Sequence, residues 1–318
     1  MTPFAIAGVQ MHVSATHENV TAMSHRIDNV MARFPWVQMV VFSELAAYGP
    51  LPTNHPESTE GALDIFREAA QRHNVWLIPG SMFEHSEQGL HNVACVINPE
   101  GEIIRRYAKM FPFMPYETGV SGGTEFCVFD VPNVGRFGLS ICYDIWFPET
   151  TRTLVSMGAE VLLHPVLTGT IDRDIELSIA RSTAAMFQTY VFDINGLGPG
   201  GFGRSCVVDP SGTIVYQAAG QEEVIPVEID FDHVRRQRAV GIRGLGQPLK
   251  SFRDRSSHFG TYDPATYDPV YLNSLGGLDM PHQGTQDGLN VAPPADVVGP
   301  LAFGNVTAID TIRNAKDA

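Results

Sequence analysis

Cys142 stands in Gly138-Leu139-Ser140-Ile141-Cys142-Tyr143-Asp144-Ile145-Trp146-Phe147-Pro148-Glu149, where an apolar run ends in a lone thiol and Pro-Glu opens a helix. A thiol at a strand-to-helix junction meets backbone N–H groups and the positive end of a helix dipole. Both favour the thiolate, the form that acts as a nucleophile. Two further groups suit such chemistry. Glu44 closes the apolar run Val40-Val41-Phe42-Ser43-Glu44-Leu45, and Lys109 lies in Tyr107-Ala108-Lys109-Met110-Phe111-Pro112-Phe113, ahead of a Pro-rich loop. Glu44 and Lys109 are 65 positions apart (109 minus 44), Lys109 and Cys142 33 apart (142 minus 109). All three fall where a strand should stop, which is where ligand sites gather in sheet-based enzymes. Taken singly, each has an ordinary reading: free Cys is among the most buried residues, and Glu and Lys are mostly solvated.

The elements that must position them alternate along the chain. Apolar runs predict strands over 4–11, 39–42, 75–79, 92–98, 103–107, 126–131, 135–142, 161–163, 190–194, 205–208 and 213–217. Helical spacing predicts helices over 17–34, through Val20, Met23, Ile27, Val30 and Met31, and over 60–73, through Ala62, Ile65, Phe66 and Ala69. Two more are expected over 148–157 and 174–188. Asn98-Pro99-Glu100-Gly101 and Asp209-Pro210-Ser211-Gly212 read as turns, with Pro at the second position and Gly at the fourth. Helices alternating with apolar strands argue for layered α/β. The loop 164–170 should leave a strand on the side of Cys142. The glycine-rich 195–203 that leaves the next strand lacks a P-loop lysine, and reads as a wall of the site.

In this order and context the three segments resemble the nitrilase (carbon–nitrogen hydrolase) superfamily. Phe42-Ser43-Glu44-Leu45, Tyr107-Ala108-Lys109-Met110-Phe111-Pro112, and Cys142-Tyr143-Asp144 with Phe147-Pro148-Glu149 look like its three signature segments; weaker similarity runs over about 4–238. The resemblance implies an α/β fold, a four-layer αββα sandwich, carrying a Glu44–Lys109–Cys142 triad. In that triad Cys142 attacks an amide carbonyl, and Glu44 takes the thiol proton and passes it to the departing amine. Lys109 and the backbone N–H of Tyr143 hold the negative oxygen. Water activated by Glu44 then cleaves the thioester. Glu117 matches a second glutamate that many members carry, where it positions the lysine or the substrate; a solvated loop carboxylate is its ordinary alternative. Tyr48, Phe113, Tyr116 and Trp146 would supply an aromatic pocket, and Pro165, Val166 and Leu167 a further wall, with plain packing as the alternative for each. No cofactor is implied.

Cys142-Tyr143-Asp144 looks more like family amidases and carbamoylases than true nitrilases, which usually show Cys-Trp-Glu. Hydrolysis of a small carboxylic amide is therefore the first expectation, an N-carbamoyl amide hydrolase the second, and a nitrilase the third. Arg173 would bind a substrate carboxylate unless Asp172 and Asp174 beside it take it, which leaves the substrate's charge open. Outside this class stand an inactive binding protein, against which the intact triad argues, and a thiol redox protein, which would need Cys206 to approach Cys142.

Composition sets the remaining bounds. The 318 residues are 44% hydrophobic and 18% charged, ordinary globular values. A net charge of −14 (21 basic minus 35 acidic) argues against nucleic acid and anionic membranes as partners. No apolar run is long enough to span a bilayer, and the N-terminus reads as a strand. Cys95, Cys127, Cys142 and Cys206 are scattered without a C-x-x-C pair, which suggests a reducing, cytoplasmic setting. The eleven histidines form no H-E-x-x-H, so no metal is expected, and no G-x-S-x-G elbow suggests a serine hydrolase. The hydrolase domain is expected over 1–262. From 263 to 318 periodicity fades and prolines accumulate, as in an extension that wraps the main body or a neighbouring subunit. The resemblance also implies a homodimer or larger assembly.

Overall fold

The computed structural model describes residues 1–280 apart from Ser257, Pro264, Thr266 and Asp279. The chain divides into two compact units, Met1–Phe113 with Glu117–Arg255, and Met114–Tyr116 with the residues from Ser256 on. The first ends short of the boundary at 262 that composition suggests. Among its described residues the second unit holds one turn at Gly260–Tyr262 and the short helix Val270–Asn273. Most of the expected 263–318 extension lies outside the described residues.

The first unit is built on two sheets. One comprises β1 (Pro3–Gln10), β2 (Met39–Phe42), β3 (Trp76–Ile78), β4 (Ser81–Ser86), β5 (Gly89–Ile97), β6 (Ile103–Ala108) and the late strand β15 (Glu223–Asp230). Their order is β15-β1-β2-β3-β5-β4, with β6 also pairing β5. The other comprises β7 (Cys127–Val131), β8 (Gly135–Leu139), β9 (Val161–Val166), β10 (Tyr190–Asn195), β13 (Cys206–Val208) and β14 (Ile214–Gln217), in the order β14-β13-β10-β9-β8-β7. A two-strand ribbon, β11 (Leu197–Gly198) with β12 (Gly201–Phe202), fills the glycine-rich stretch. Helices α1 (Val20–Arg33) and α2 (Glu60–His73) follow the early strands; α3 (Pro148–Ser156), α4 (Asp172–Phe187), α5 (Phe231–Val240) and α6 (Pro248–Arg253) follow later ones.

The layers follow from the two-residue period of a strand, which sends successive side chains to opposite faces. Phe4, Ile6, Met39 and Val41 share one core cluster with Phe137, Leu139, Val161, Leu163, Phe192 and Ile194 of the second sheet. Their neighbours Ala7, Val9, Val40 and Phe42 point the other way, onto Met23, Ile27, Leu63 and Phe66 of α1 and α2. On the second sheet Leu162, Val191, Cys206 and Val208 face Leu154, Ala180 and Ala184 of α3 and α4. The result is helix, sheet, sheet, helix, the four-layer αββα sandwich. Both expected turns close with an N–H to C=O bond of 2.9 Å, Gly101 to Asn98 and Gly212 to Asp209, and both glycines take φ 78°. Among the described residues no helix is long and apolar enough to cross a membrane.

Candidate active site

Glu44 is delivered by the end of β2. The chain turns there with Leu45 at φ 51°, and Ser81 Oγ accepts the Leu45 N–H at 3.1 Å. Gly80 passes so close that a Cβ on it would lie 1.9 Å from the Ser43 carbonyl oxygen. Lys109 comes from the end of β6. Its N–H donates to Asn92 O and its carbonyl accepts from Gly123 N, both at 2.8 Å. Its side chain is 2% exposed, and Nζ lies 2.8 Å from Glu44 Oε1 and 2.7 Å from Glu117 Oε2. Asn92 Nδ2 braces both carboxylates, at 2.9 Å from Glu44 Oε1 and 3.3 Å from Glu117 Oε1. Glu117 Oε2 also accepts the Phe113 N–H.

Cys142 does not end a strand, as its sequence suggests. β8 stops at Leu139, and Cys142, at φ 45°, opens a single 3₁₀ turn over Cys142–Trp146. A non-glycine residue in the left-handed region is strained and persists only where its surroundings enforce it. Asp144 supplies that enforcement. Its Oδ2 accepts Tyr107 Oη at 2.7 Å and the Ile141 N–H at 2.9 Å, while Oδ1 accepts the Phe111 N–H at 2.9 Å. One buried carboxylate thus ties the lysine loop to the cysteine turn. The sulfur lies 3.7 Å from Thr168 Oγ1 and also meets the Glu44 carboxyl and the Leu167 N–H. That N–H donates to Glu44 Oε2 at 3.1 Å.

Burial governs the charges. It pushes the Cys142 thiol well up, the charge of Glu44 adds to this, and Lys109 opposes it. The resting group is therefore a thiol. The thiolate that the strand-to-helix reading favours is not reached, because the turn at Cys142 is too short to supply an aligned helix and α3 begins only at Pro148. Burial likewise raises the Glu44 carboxyl, against the pull of Lys109. Burial alone would lower the lysine, but the carboxylates of Glu44 and Glu117 hold its ammonium above the usual range. Asp144 is pushed up to about 6 by burial, against its three donors. The arrangement can pass one proton between a thiol and a carboxyl beside a permanent cation.

A family model described as carbon-nitrogen hydrolase matches residues 5–239. The chain belongs to that family. Among curated relatives of this carbon–nitrogen hydrolase, a 2-oxoglutaramate amidase of Bacillus subtilis is 29% identical over 183 residues, 55% of this chain and 70% of that protein. A deaminated glutathione amidase of Dictyostelium discoideum is 28% identical over 195 residues, 55% of this chain and 67% of that one. A formamidase of Bacillus cereus is 28% identical over 216 residues, 64% of this chain and 65% of that one. Among solved structures, a branch 10 nitrilase superfamily protein of Saccharomyces cerevisiae superposes with TM-score 0.69 at 24% identity, covering 75% of this chain and 94% of that one. An amidase from Nesterenkonia sp. superposes with TM-score 0.66 at 20% identity, covering 74% and 94%. These similarities establish the sandwich fold and an enzyme family acting on non-peptide carbon–nitrogen bonds.

The sequence-named pocket residues of this hydrolase are dispersed. Phe113 meets Tyr143 edge-on at 5.0 Å, and Trp146 lies 6.0 Å from the same ring. Tyr48 packs instead against His55 at 5.2 Å and the outer core under α1 and α2, not the cluster that holds Cys142. Tyr116 belongs to the second unit and is 60% exposed. Pro165 and Val166 are not loop residues: β9 runs on through Val166, and of the three it is Leu167 that reaches the sulfur from the loop, with Thr168 beside it. Arg173 is 1% exposed and held by Asp193 at 2.5 Å, Glu176 at 3.3 Å and the carbonyls of Gly203 and Arg204. It is not turned to a substrate carboxylate, and its partners are not Asp172 and Asp174. Cys206 lies on the helix-facing side of the second sheet and Cys142 in the cluster between the sheets, so the two thiols do not form a redox pair. Among the described residues no group of His, Cys, Asp or Glu is placed to hold a metal ion.

Sequence reasoning missed Asn92, Asp144, Thr168 and Glu176. Asp144 was visible inside the cysteine motif, where its type suits a turn. The other three carry no local signal, because they act only through side chains brought in from distant elements: Asn92 from β5, Thr168 from the loop after β9 and Glu176 from α4.

Proposed function

We propose that this protein is an amidase that hydrolyses a small, uncharged carboxylic amide to the acid and ammonia through a thioester on Cys142. The observation that carries the reading is a buried ammonium clasped by two carboxylates beside a buried thiol: Lys109 Nζ is 2.8 Å from Glu44 Oε1 and 2.7 Å from Glu117 Oε2, and Glu44 hydrogen-bonds Cys142. A lysine has three N–H donors, so the carboxylates leave one for the substrate oxygen.

Glu44 takes the proton of the thiol as the sulfur attacks the carbonyl carbon. The oxygen's negative charge is met by Lys109 and the Tyr143 N–H, donors fixed before the reaction begins. Collapse of the tetrahedral intermediate breaks the carbon–nitrogen bond, and Glu44 returns the proton to the leaving nitrogen, which departs as ammonia. Water then gives a proton to Glu44 and attacks the thioester; its collapse releases the acid, and the sulfur takes the proton back. Glu117 positions the lysine, and Asn92 spaces the two carboxylates.

Two features support an uncharged acyl group. The arginine nearest the loop is locked to Asp193 and Glu176, and the rings of Phe113, Tyr143 and Trp146 form an aromatic group next to the nucleophile. The same locked arginine counts against N-carbamoyl amino acids, whose carboxylate needs a cation. The test is a panel of aliphatic amides, aromatic amides, N-carbamoyl amino acids and nitriles scored by ammonia, with Cys142→Ala in parallel. Aliphatic amides should react fastest, intact mass should reveal an acyl adduct on the wild type, and the variant should fall to background. Ammonia production that survives in Cys142→Ala, or none from any amide, would overturn the reading.

A further inference from the structure

A second buried polar chain lies behind the nucleophile and has no part in the steps above. Thr168 Oγ1, 3.7 Å from Cys142 Sγ, donates to Glu176 Oε1 at 3.0 Å. The same carboxylate oxygen accepts Trp146 Nε1 at 3.5 Å. Arg173 Nη1 donates to Glu176 Oε2 at 3.3 Å, and Arg173 Nη2 to Asp193 Oδ1 at 2.5 Å. All of Thr168, Glu176, Arg173 and Asp193 are buried.

We infer that Thr168 and Glu176 are positioning residues that aim the Cys142 S–H: a proton on Glu176 turns the Thr168 hydroxyl toward the sulfur and leaves the S–H for Glu44, whereas its loss turns the hydroxyl away and draws the S–H onto Thr168. This rests on the amidase reading above. The physical basis is that a hydroxyl has one proton and two lone pairs. When Glu176 is ionised it accepts that proton, and the oxygen then presents only lone pairs to the sulfur. When Glu176 is protonated it donates to the oxygen, and the hydroxyl proton is free to stabilise charge on sulfur during attack. No covalent bond to carbon changes, and the proton on Glu176 exchanges with water.

Both forms are accessible near neutrality. Burial pushes the Glu176 carboxyl up to about 7, with Asp193 adding to the rise and Arg173 opposing it. The titratable and charged groups facing it are Arg173 on its own helix, Asp193 on β10 and Cys142 in the 3₁₀ turn; Cys206 on β13 and His164 on β9 lie against Asp193 and Arg173. His164 is held neutral, pushed down to about 4 by burial. Glu176 can therefore change its charge near neutral pH.

The test compares the wild type with E176Q, T168V and T168S. Arg173 and Trp146 can only donate; the charged guanidinium is nearer, at 3.3 Å against 3.5 Å, so a glutamine at 176 turns its oxygen to Arg173 and its NH₂ to Thr168, mimicking the protonated acid and giving up the longer Trp146 contact. Wild-type kcat on an aliphatic amide should fall about tenfold as pH rises through the Glu176 titration, the loss of one hydrogen bond to a charged group. E176Q should lack that fall. T168V should lower kcat about tenfold with KM within about twofold, and T168S should recover the wild-type pH dependence. An unchanged alkaline fall in E176Q, a wild-type kcat in T168V, or no rescue by T168S would overturn the inference; if T168V does not fold, the E176Q profile decides. The rate of Cys142 alkylation by iodoacetamide, read by intact mass across the same pH range, needs no amide. A wild type whose alkylation slows relative to E176Q as pH rises through the Glu176 titration but that releases no ammonia would sink the amidase reading and leave the relay standing.

Discussion

A lysine with 2% of its side chain exposed remains an ammonium only because Glu44 and Glu117 flank it. Lys109→Met would leave two carboxylates facing each other without a cation and would remove an oxyanion donor. Its kcat on the best amide should fall by about 10²–10³, the loss typical of one such donor. A kcat within about threefold of wild type would remove Lys109 from the mechanism. Asp144 carries a prediction of a different kind. Its carboxyl is raised from 3.8 to about 6, so between those values the folded chain binds more protons than the unfolded one. The stability it contributes is complete below the lower value and is lost as pH rises through the upper one. Across that window the wild type should lose about 3 kcal/mol relative to Asp144→Asn, which cannot titrate. Urea unfolding of both proteins at about pH 4 and about pH 7 checks the sign; parallel pH dependences would mean that Asp144 is not raised.

At the scale of elements, the strands ahead of Glu44 and Cys142 were legible from the buried apolar residues that end β2 and β8, and the strand ahead of Lys109, whose Arg105 and Arg106 are exposed, from the Asn98–Gly101 turn that pairs it back on β5. Glu60–His73 and Met39–Phe42 match their sequence ranges at both ends. What escaped had a physical reason. β15 carries Pro226, which reads as a break, yet the strand pairs only with β1 and sits at the sheet edge, where a missing N–H is tolerated. α5 buries only Phe231, Val234 and Gln237, too few to set up a helical period. β4 alternates poorly, with His85 and Ser86 exposed, and its loss concealed the brace on Glu44. That brace is testable. At Gly80, φ is 75° and a Cβ would lie 1.9 Å from Ser43 O, so Gly80→Ala must displace the backbone that ends in Glu44. The variant should lose about 1–3 kcal/mol in urea unfolding, and its kcat should fall with it. Wild-type stability with wild-type kcat would mean that the β2 turn adjusts freely.

At the scale of the molecule, layered α/β was available from the alternation of elements and the four-layer order from the resemblance, whereas the grouping of Met114–Tyr116 with the residues beyond Arg255 was not. The first unit closes at Arg255, and Met114–Tyr116, inside the loop that sequence assigned to the pocket, groups with the residues beyond. A composition shift locates where periodicity fades; it cannot report which short loop a distant segment joins. Among the described residues the members of all four hydrophobic clusters lie between Phe4 and Val234. Apolar burial scales with the area removed from water, and that area is concentrated in those clusters. A chain ending after Arg255 therefore keeps every cluster residue and should melt within about 4 °C of the full protein, a shift of roughly 1 kcal/mol for a domain of this size. Differential scanning calorimetry measures that, and sedimentation of the same two proteins tests whether 263–318 wraps a neighbouring subunit or the main body, the two readings that the sequence offers. A midpoint lower by tens of degrees would mean that the sandwich draws on the extension for its core. Retained melting with altered kcat would instead tie the segment to Met114–Tyr116 and so to the loop between Lys109 and Glu117, the stretch that fixes both charges.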